Sequence, residues 1–279
     1  MKSLKRKLFC EISCGTYRIS VIKCRVLRFI RDLLVFNKFA EKKSEELLPV
    51  IIYKHNSLIR RRLGNVDMRL QENKAVNLSL AAPKVNKTLI EPGQLFSFWH
   101  LVGDLSPEKG YMEGLTISLG KASKGIGGGM CQFTNLIHWM ILHTDMTVTE
   151  HHHHEQIDLF PDYNRQIPFG TGTSILYNYL DYRFKNNTDL TYQLITYTTD
   201  EYLCGEIKAN KNQKLKYHIK CKNEFFSREE GSVYRNGEVY RQVIDCRTGK
   251  HLREELLRKN YAKVAYDVSD INIVNQAFI

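Results

Sequence analysis

A cysteine that directly follows a run of glycines is the residue of this sequence best placed to do chemistry. Cys131 comes after Gly127, Gly128 and Gly129, and the apolar spacing that follows it is typical of a helix packed on a core. Amide groups at a helix start carry positive partial charge, which favours a thiolate and lowers the pKa of a thiol. The pattern therefore predicts a nucleophile, with a small buried residue after a loop as the alternative.

Two polar residues on the same predicted helix belong to the same candidate site. Gln132 directly follows the cysteine, and we predict that it forms an oxyanion site together with the amides of the glycine loop. Asn135 lies about one helical turn further along the face of Cys131. There it either borders the substrate or satisfies nearby backbone groups.

Four consecutive histidines at 151–154 are the candidate partners of the thiol, because a cysteine nucleophile needs a base or an ion-pair partner. They follow a predicted strand at 146–150. Side chains alternate along an extended chain, so only one or two of the four can face the cysteine. Neighbours on a strand cannot all converge on one ion, so we predict no metal site. An affinity tag and a solvated turn without a role are the other interpretations.

The positive charge of the chain is concentrated at its beginning. Residues 1–64 contain 16 Lys or Arg and 5 Asp or Glu, and their net charge of +11 equals that of the whole chain. A basic segment beside a neutral body indicates an anionic partner, either lipid headgroups or nucleic acid. Nucleic acid ranks last, because neither a stacking motif nor a reading helix accompanies the charge. Residues 1–48 have a helical rhythm, which predicts an amphipathic helix on an anionic membrane or a basic helix packed on its own domain.

The cysteine content and the apolar runs bear on the cellular compartment. Seven scattered cysteines are typical of reduced thiols in a cytosol-like setting. Arg18, Lys23 and Arg25 interrupt any export signal, and no apolar run is long enough for a membrane-spanning helix. We expect a cytoplasmic protein, peripheral at the inner face of the membrane. No motif indicates a cofactor.

The alternation of helical and strand patterns predicts an α+β fold. We expect N-terminal helices, a central cysteine-bearing helix packed on a mainly antiparallel sheet, and a C-terminal tail rich in β-hairpins. The predicted domains are a basic helical segment at 1–64, a central domain at 65–210 and a small β-rich extension at 211–279. The sequence also predicts individual elements: a helix at 66–86, strands at 174–185, 190–198 and 202–208, a hairpin turn at Asn236-Gly237 and a turn at 247–250.

Several motifs, in order and at the right spacing, resemble the VanW family, named for a protein found with vancomycin-resistance genes. The resemblance spans about residues 66 to 210. It is carried by Glu91-Pro92-Gly93-Gln94-Leu95-Phe96-Ser97-Phe98-Trp99, Val102-Gly103, Gly110-Tyr111, Gly114 and Gly127-Gly128-Gly129-Met130-Cys131-Gln132-Phe133-Thr134-Asn135-Leu136.

The resemblance implies a chemistry for the cysteine. Some exported relatives are similar to peptidoglycan L,D-transpeptidases, in which the family cysteine is the nucleophile that accepts the acyl group. Carried over to this chain, the resemblance implies that Cys131 would attack a stem-peptide carbonyl and expel the terminal D-residue. His154 matches the family histidine, with His153 beside it, and His151 replaces the family arginine. Gly172 stands where the family has an aspartate, for which Asp158 and Asn178 are candidate replacements. The implied partner is a peptidoglycan peptide or precursor. The alternative is a non-catalytic binding module for cell-wall precursors or glycopeptides.

Overall fold

The computed structural model describes residues 8–61, 67–118, 121–153, 157–159, 161 and 167–274. These residues form α-helices α1 (Cys14–Leu34), α2 (Met68–Val85), α3 (Phe98–Val102) and α4 (Met130–Ile141). The strands are β1 (Val50–Leu58), β2 (Thr88–Ile90), β3 (Leu95–Ser97), β4 (Glu113–Ser118), β5 (Lys121–Ile126), β6 (Thr147–Glu150), β7 (Ile157–Asp158), β8 (Arg183–Lys185), β9 (Tyr192–Thr198), β10 (Tyr202–Ala209), β11 (Leu215–Glu229), β12 (Ser232–Asp245), β13 (His251–Val264) and β14 (Ile273–Val274). This mixture confirms the predicted α+β class.

The cysteine-bearing helix packs on a four-stranded antiparallel sheet, as predicted. The strand order is β1-β10-β9-β2, and α4 lies against β10 and β1 while α2 lies against β9. Phe133, Leu136, Ile137 and Met140 form the fully buried side of α4. Gly205 in β10 allows the close approach, because a Cβ there would lie 2.6 Å from Cε of Met140.

Three further sheets, of three, two and five strands, complete the fold. One has the order β3-β8-β6, and β4 and β5 form a two-stranded hairpin. The C-terminal part is an antiparallel meander of β11, β12 and β13, extended at its edges by the short parallel strands β14 and β7. None of the described helices is both long enough and apolar enough to cross a membrane.

Three local predictions are wrong. The predicted helical segment at 1–64 contains β1, since its run of Val and Ile pairs with β10. Of the predicted strand at 174–185 only Arg183–Lys185 forms, because Asn178 takes a φ of 48° in a turn between Leu176 and Leu180.

The predicted hairpin turn at Asn236-Gly237 lies inside β12, where both residues pair with β11 or β13. The chain reverses instead at Glu230 and Gly231, whose φ values of 46° and 76° suit a tight turn. The helix over 66–86 and the turn at 247–250 are confirmed. The first is observed as Met68–Val85, and Gly249 in the second has a φ of 70°.

Candidate functional site

The glycine run fits a tightly packed connection into α4. Gly129 caps the helix with a φ of 110° and without a side-chain hydrogen bond, and Cys131 is the second helical residue. A Cβ at Gly128 would lie 2.6 Å from Cα of Gly114 in β4, so the two backbones touch. Asn77 holds the loop by donating from Nδ2 to the carbonyl of Gly128 at 2.9 Å. The amide of Gly127 donates to the carbonyl of Met112, so it is not free for an oxyanion.

Cys131 is half-buried, and burial raises the pKa of its thiol. The backbone amides of Ile175 and of Cys131 itself form hydrogen bonds to the sulfur that oppose this shift without reversing it. The expectation of a lowered thiol pKa is therefore wrong for this conformation. The chain at 171–175 lies against the first turns of α4, where Thr173 hydrogen-bonds to Asn135, and burial of this kind disfavours the charged thiolate.

A polar stripe continues from the cysteine along α4. Thr134, Asn135 and His138 follow Cys131 by three, four and seven residues and so share its face. Oδ1 of Asn135 accepts hydrogen bonds from the amide of Thr173 at 2.6 Å and from its hydroxyl at 2.8 Å. Asn135 therefore satisfies the backbone of the covering chain, which is one of its two predicted roles.

Three histidine rings cluster, tilted against one another, at the far end of this stripe. The ring centroid of His151 lies 4.1 Å from that of His138 and 3.9 Å from that of His153. Nε2 of His151 lies 3.1 Å from the carbonyl oxygen of Gly172. Because a carbonyl only accepts, that nitrogen carries the proton and Nδ1 is left as an acceptor. Nδ1 of His138 lies 3.0 Å from the hydroxyl of Tyr182.

These imidazoles are neutral near pH 7. Burial lowers the pKa of His151 to about 4 and that of His153 to about 3, and it holds the pKa of His138 well below its usual value. A neutral imidazole can take a proton from a thiol, and it is also the form that binds metals. Among the described residues, however, no three His, Cys, Asp or Glu side chains are arranged to hold a metal ion. His154, the predicted family histidine, lies outside the described residues.

The remaining histidine of the run belongs to a different network. Nε2 of His152 lies 2.9 Å from Oε1 of Glu150, which also accepts from Arg28 and from the amide of Asp181. Burial by itself would raise the pKa of Glu150, but these hydrogen bonds lower it. The backbone carbonyl of His152 accepts from the amide of Ser174 at 2.7 Å. His152 therefore anchors the covering chain through its backbone while its ring faces an ion-pair cluster.

Two sequence predictions at the site need correction. The amide nitrogen of Gln132 donates to the hydroxyl of Ser57 and to the carbonyl of Leu58, both at 2.9 Å, so it ties α4 to β1 and is not free for an oxyanion. Asp158 accepts from Tyr266 at 2.9 Å and pairs with Arg235 in the C-terminal sheet. It is thus held by partners of that sheet and does not replace the family aspartate at Gly172.

A buried lysine next to the glycine run was missed by sequence reasoning. Lys74 in α2 is 6% exposed, and a Cβ at Gly129 would lie 2.5 Å from its Cγ. Burial, reinforced by Arg61 and Arg60, lowers the pKa of Lys74 to about 7. Its only sequence signal is a cation between Gln71 and Leu78 on the face of α2 that is otherwise buried.

Two surface cavities lie outside this site. The larger, of 480 Å³, is lined by β1, β9 and β10, and the second, of 410 Å³, by residues of α1, β6 and β8. Neither has Cys131 in its lining.

Fold and site together define an α+β protein that presents a thiol and neutral imidazoles along one covered helix face. A family profile described as "VanW like protein" matches residues 73–208. The vancomycin B-type resistance protein VanW of Enterococcus faecalis is 34% identical over 241 residues, which cover 85% of this chain and 87% of that protein. The chain belongs to the VanW family. The uncharacterized protein YoaR of Bacillus subtilis is 25% identical over 118 residues, covering 41% of this chain and 36% of that protein. No solved structure matches.

Proposed function

We propose that this chain is a thiol-dependent acyl transferase that acts on peptidoglycan stem peptides or their precursors in glycopeptide resistance. The observation that carries the proposal is the position of Cys131. It lies in the first turn of a helix, two backbone amides form hydrogen bonds to its sulfur, and His138, which contacts His151, lies two turns further along the same face. The resistance context is extended from the name of the Enterococcus faecalis relative.

The proposed reaction begins with a neutral thiol, in keeping with its raised pKa. Burial opposes ionisation of both the thiol and the imidazoles, so proton transfer follows the movement of the covering chain and the entry of solvent. A neutral imidazole of the His138, His151 and His153 cluster then takes the thiol proton, and the sulfur attacks the carbonyl carbon of the stem peptide. The C–N bond to the terminal D-residue breaks, the imidazolium returns the proton to the departing amine, and a thioester remains on Cys131. The amine of a second stem then attacks the thioester, the imidazole passes the amine proton to the departing sulfur, the C–S bond breaks, and an amide and the free thiol of Cys131 result.

The covering chain at 171–175 has a defined part in this proposal. Its carbonyl at Gly172 accepts from His151 and so orients the ring, the task that a carboxylate performs in many thiol and serine enzymes. Before a stem peptide can reach the sulfur, residues 173–175 of this chain have to move away from α4, while Gly172 stays beside His151. Asn135, which accepts from both the amide and the hydroxyl of Thr173, holds this segment closed together with Thr134.

The test is the thioester itself. The full chain is incubated with a synthetic stem peptide that ends in a D-residue, quenched in acid and measured by intact mass spectrometry. We expect an acyl adduct on wild-type protein and on Cys246→Ser, which lacks an exposed cysteine. The adduct should be absent from Cys131→Ala. An adduct that survives in Cys131→Ala, or release of the D-residue at the same rate by both variants, contradicts the proposal.

The raised thiol pKa favours a second candidate, a non-catalytic binding module for wall precursors or glycopeptides. In that case the buried sulfur packs beneath the covering chain and takes no part in bond making. Cys131→Ser would then retain the affinity for a stem peptide measured by calorimetry, and neither protein would form an adduct. Binding without any adduct in the wild-type protein decides for this candidate.

A further inference from the structure

Helix α1 docks on the body of the protein through its polar side. Arg28 donates from Nη1 to Glu150 at 2.6 Å and from Nη2 to the carbonyl of Tyr179 at 3.0 Å. One turn later, both Nη atoms of Arg183 lie 2.7 Å from the carboxylate of Asp32. No residue of α1 is fully buried. The charged side chains of Arg28 and Asp32 therefore form the ion pairs that hold the helix against the body.

The apolar side of the same helix points away from the body. Six aliphatic or aromatic side chains form a stripe at helical spacing, and each is between 49% and 60% exposed: Ile19, Ile22, Val26, Phe29, Ile30 and Leu33. An ordinary surface helix has the opposite arrangement, with its apolar stripe facing the core. A continuous exposed apolar stripe of this kind marks a surface that another phase or molecule covers.

Cations border the exposed stripe on both sides. At the α-helical repeat, Arg18 and Arg25 lie along one edge of the stripe and Lys23 along the other. Long cationic side chains beside an apolar stripe can extend their charges to headgroups while the stripe enters the acyl boundary. A second copy of the chain fits this face less well, because cations border both edges and would meet cations in either helix orientation.

We propose that α1 is an interfacial anchor that lies flat on an anionic phospholipid bilayer, with the Ile19–Leu33 stripe inserted and Arg18 and Lys23 at the headgroups. The ion pairs of Arg28 and Asp32 then hold the body of the protein on the water side of the helix. The helix of 21 residues provides about 30 Å of contact along the membrane surface. The proposal is independent of the chemistry of Cys131.

The test uses the full chain and vesicles of phosphatidylcholine with or without phosphatidylglycerol, with bound protein measured by co-sedimentation. We expect binding only to the anionic vesicles, weakened by salt. Ile22→Ser/Phe29→Ser should reduce binding about tenfold or more, whereas Leu252→Ser/Leu256→Ser, which removes two exposed apolar side chains of β13, should not. Arg18→Gln/Lys23→Gln should reduce it about tenfold, and Lys211→Gln/Lys214→Gln much less.

All substituted side chains are exposed, and circular dichroism confirms that each variant is folded before binding is compared. Three outcomes overturn the proposal. They are equal binding to neutral and anionic vesicles, binding that is unchanged in Ile22→Ser/Phe29→Ser, and a lipid-free dimer in sedimentation equilibrium that this variant abolishes.

Discussion

Asp32 of α1 and Arg183 of β8 form a two-pronged ion pair, in which each guanidinium Nη lies 2.7 Å from one carboxylate oxygen. The side chain of Arg183 is 9% exposed, and its Nε also donates to Asp181 at 2.7 Å. Fork-to-fork geometry of this kind fixes orientation as well as distance. The pair therefore determines how α1 is held against the sheet that contains β6 and β8.

Replacing the helix partner of this pair should destabilise the protein. We expect Asp32→Asn to lower the free energy of unfolding by about 1–3 kcal/mol, because the largely buried guanidinium of Arg183 loses one of its three carboxylate partners, Asp32, Asp181 and Glu150. Urea unfolding monitored by circular dichroism measures the change. The control is Glu254→Gln, which breaks the more exposed pair with Lys222 and should destabilise the protein much less. Equal losses in the two variants would contradict the role given to Asp32.

The elements with strong local periodicity could be predicted from the sequence. The apolar spacing after Cys131 and the pattern at 66–86 led to helices now observed as Met130–Ile141 and Met68–Val85. The Asn236-Gly237 pair led to the wrong prediction of a hairpin turn, because the register of β12 is set by its pairing with two neighbouring strands and not by its own turn residues.

The electrostatics of the site could not be predicted in the same way. The position of Cys131 at a helix start was correct, but the sign of its pKa shift depends on the chain at 171–175, which arrives from distant sequence. Lys74 has no local signal of its lowered pKa, because burial and the charges of Arg61 and Arg60 exist only in the folded protein. Desolvation is a property of packing, and spacing along a helix does not report it.

Burial of Lys74 beside the glycine run makes the free energy of unfolding depend on pH between about 7 and 10.5. The pKa of Lys74 is about 7 in the folded protein and about 10.5 in the unfolded chain, so the unfolded state binds more protons between these values. The free energy of unfolding should therefore rise as the pH rises from about 7 to 10.5, and it should fall again as the pH returns to 7. Lys74→Met removes the cost of burying the amine, so at pH 7 it should be more stable by a few kcal/mol, and the difference should shrink towards pH 10.

The measurement is urea unfolding of wild-type protein and Lys74→Met at several pH values. Lys211→Met, which replaces an exposed lysine, is the matched control and should follow the wild-type curve. A constant difference between wild type and Lys74→Met at every pH would show that Lys74 does not titrate in this range.

The reactivity of the central thiol should be limited by the chain that covers it. Iodoacetamide should label exposed Cys14 and Cys246 first and Cys131 much more slowly near pH 7, because burial raises the pKa of Cys131. Asn135→Ala removes the acceptor for Thr173 and should speed labelling of Cys131 several-fold. Peptide mass spectrometry gives the rate at each site.

The control for Asn135→Ala is Asn187→Ala, which removes an exposed hydrogen bond to Thr147 and should leave the labelling rate of Cys131 unchanged. If Cys131 is the fastest of the cysteines in wild-type protein at pH 7, the covered conformation described here is not the one that reacts. If Asn135→Ala has no effect, Asn135 does not hold the chain closed.

Buried neutral histidines should make the protein labile in mild acid. Burial lowers the pKa of His151 to about 4, whereas the unfolded value is 6.5, so the unfolded chain takes up a proton on the way down before the folded protein does. The contribution of neutral His151 to the free energy of unfolding is complete above pH 6.5 and is lost progressively between pH 6.5 and about 4. His151→Gln keeps a donor for the carbonyl of Gly172 but cannot titrate. It should therefore flatten this part of the stability curve, while His251→Gln, at an exposed histidine, should not.

Urea unfolding between pH 4 and 7 measures how the free energy of unfolding of each variant changes with pH. Parallel curves for wild type and His151→Gln would mean that His151 is already charged in the folded protein or that another group controls the acid transition.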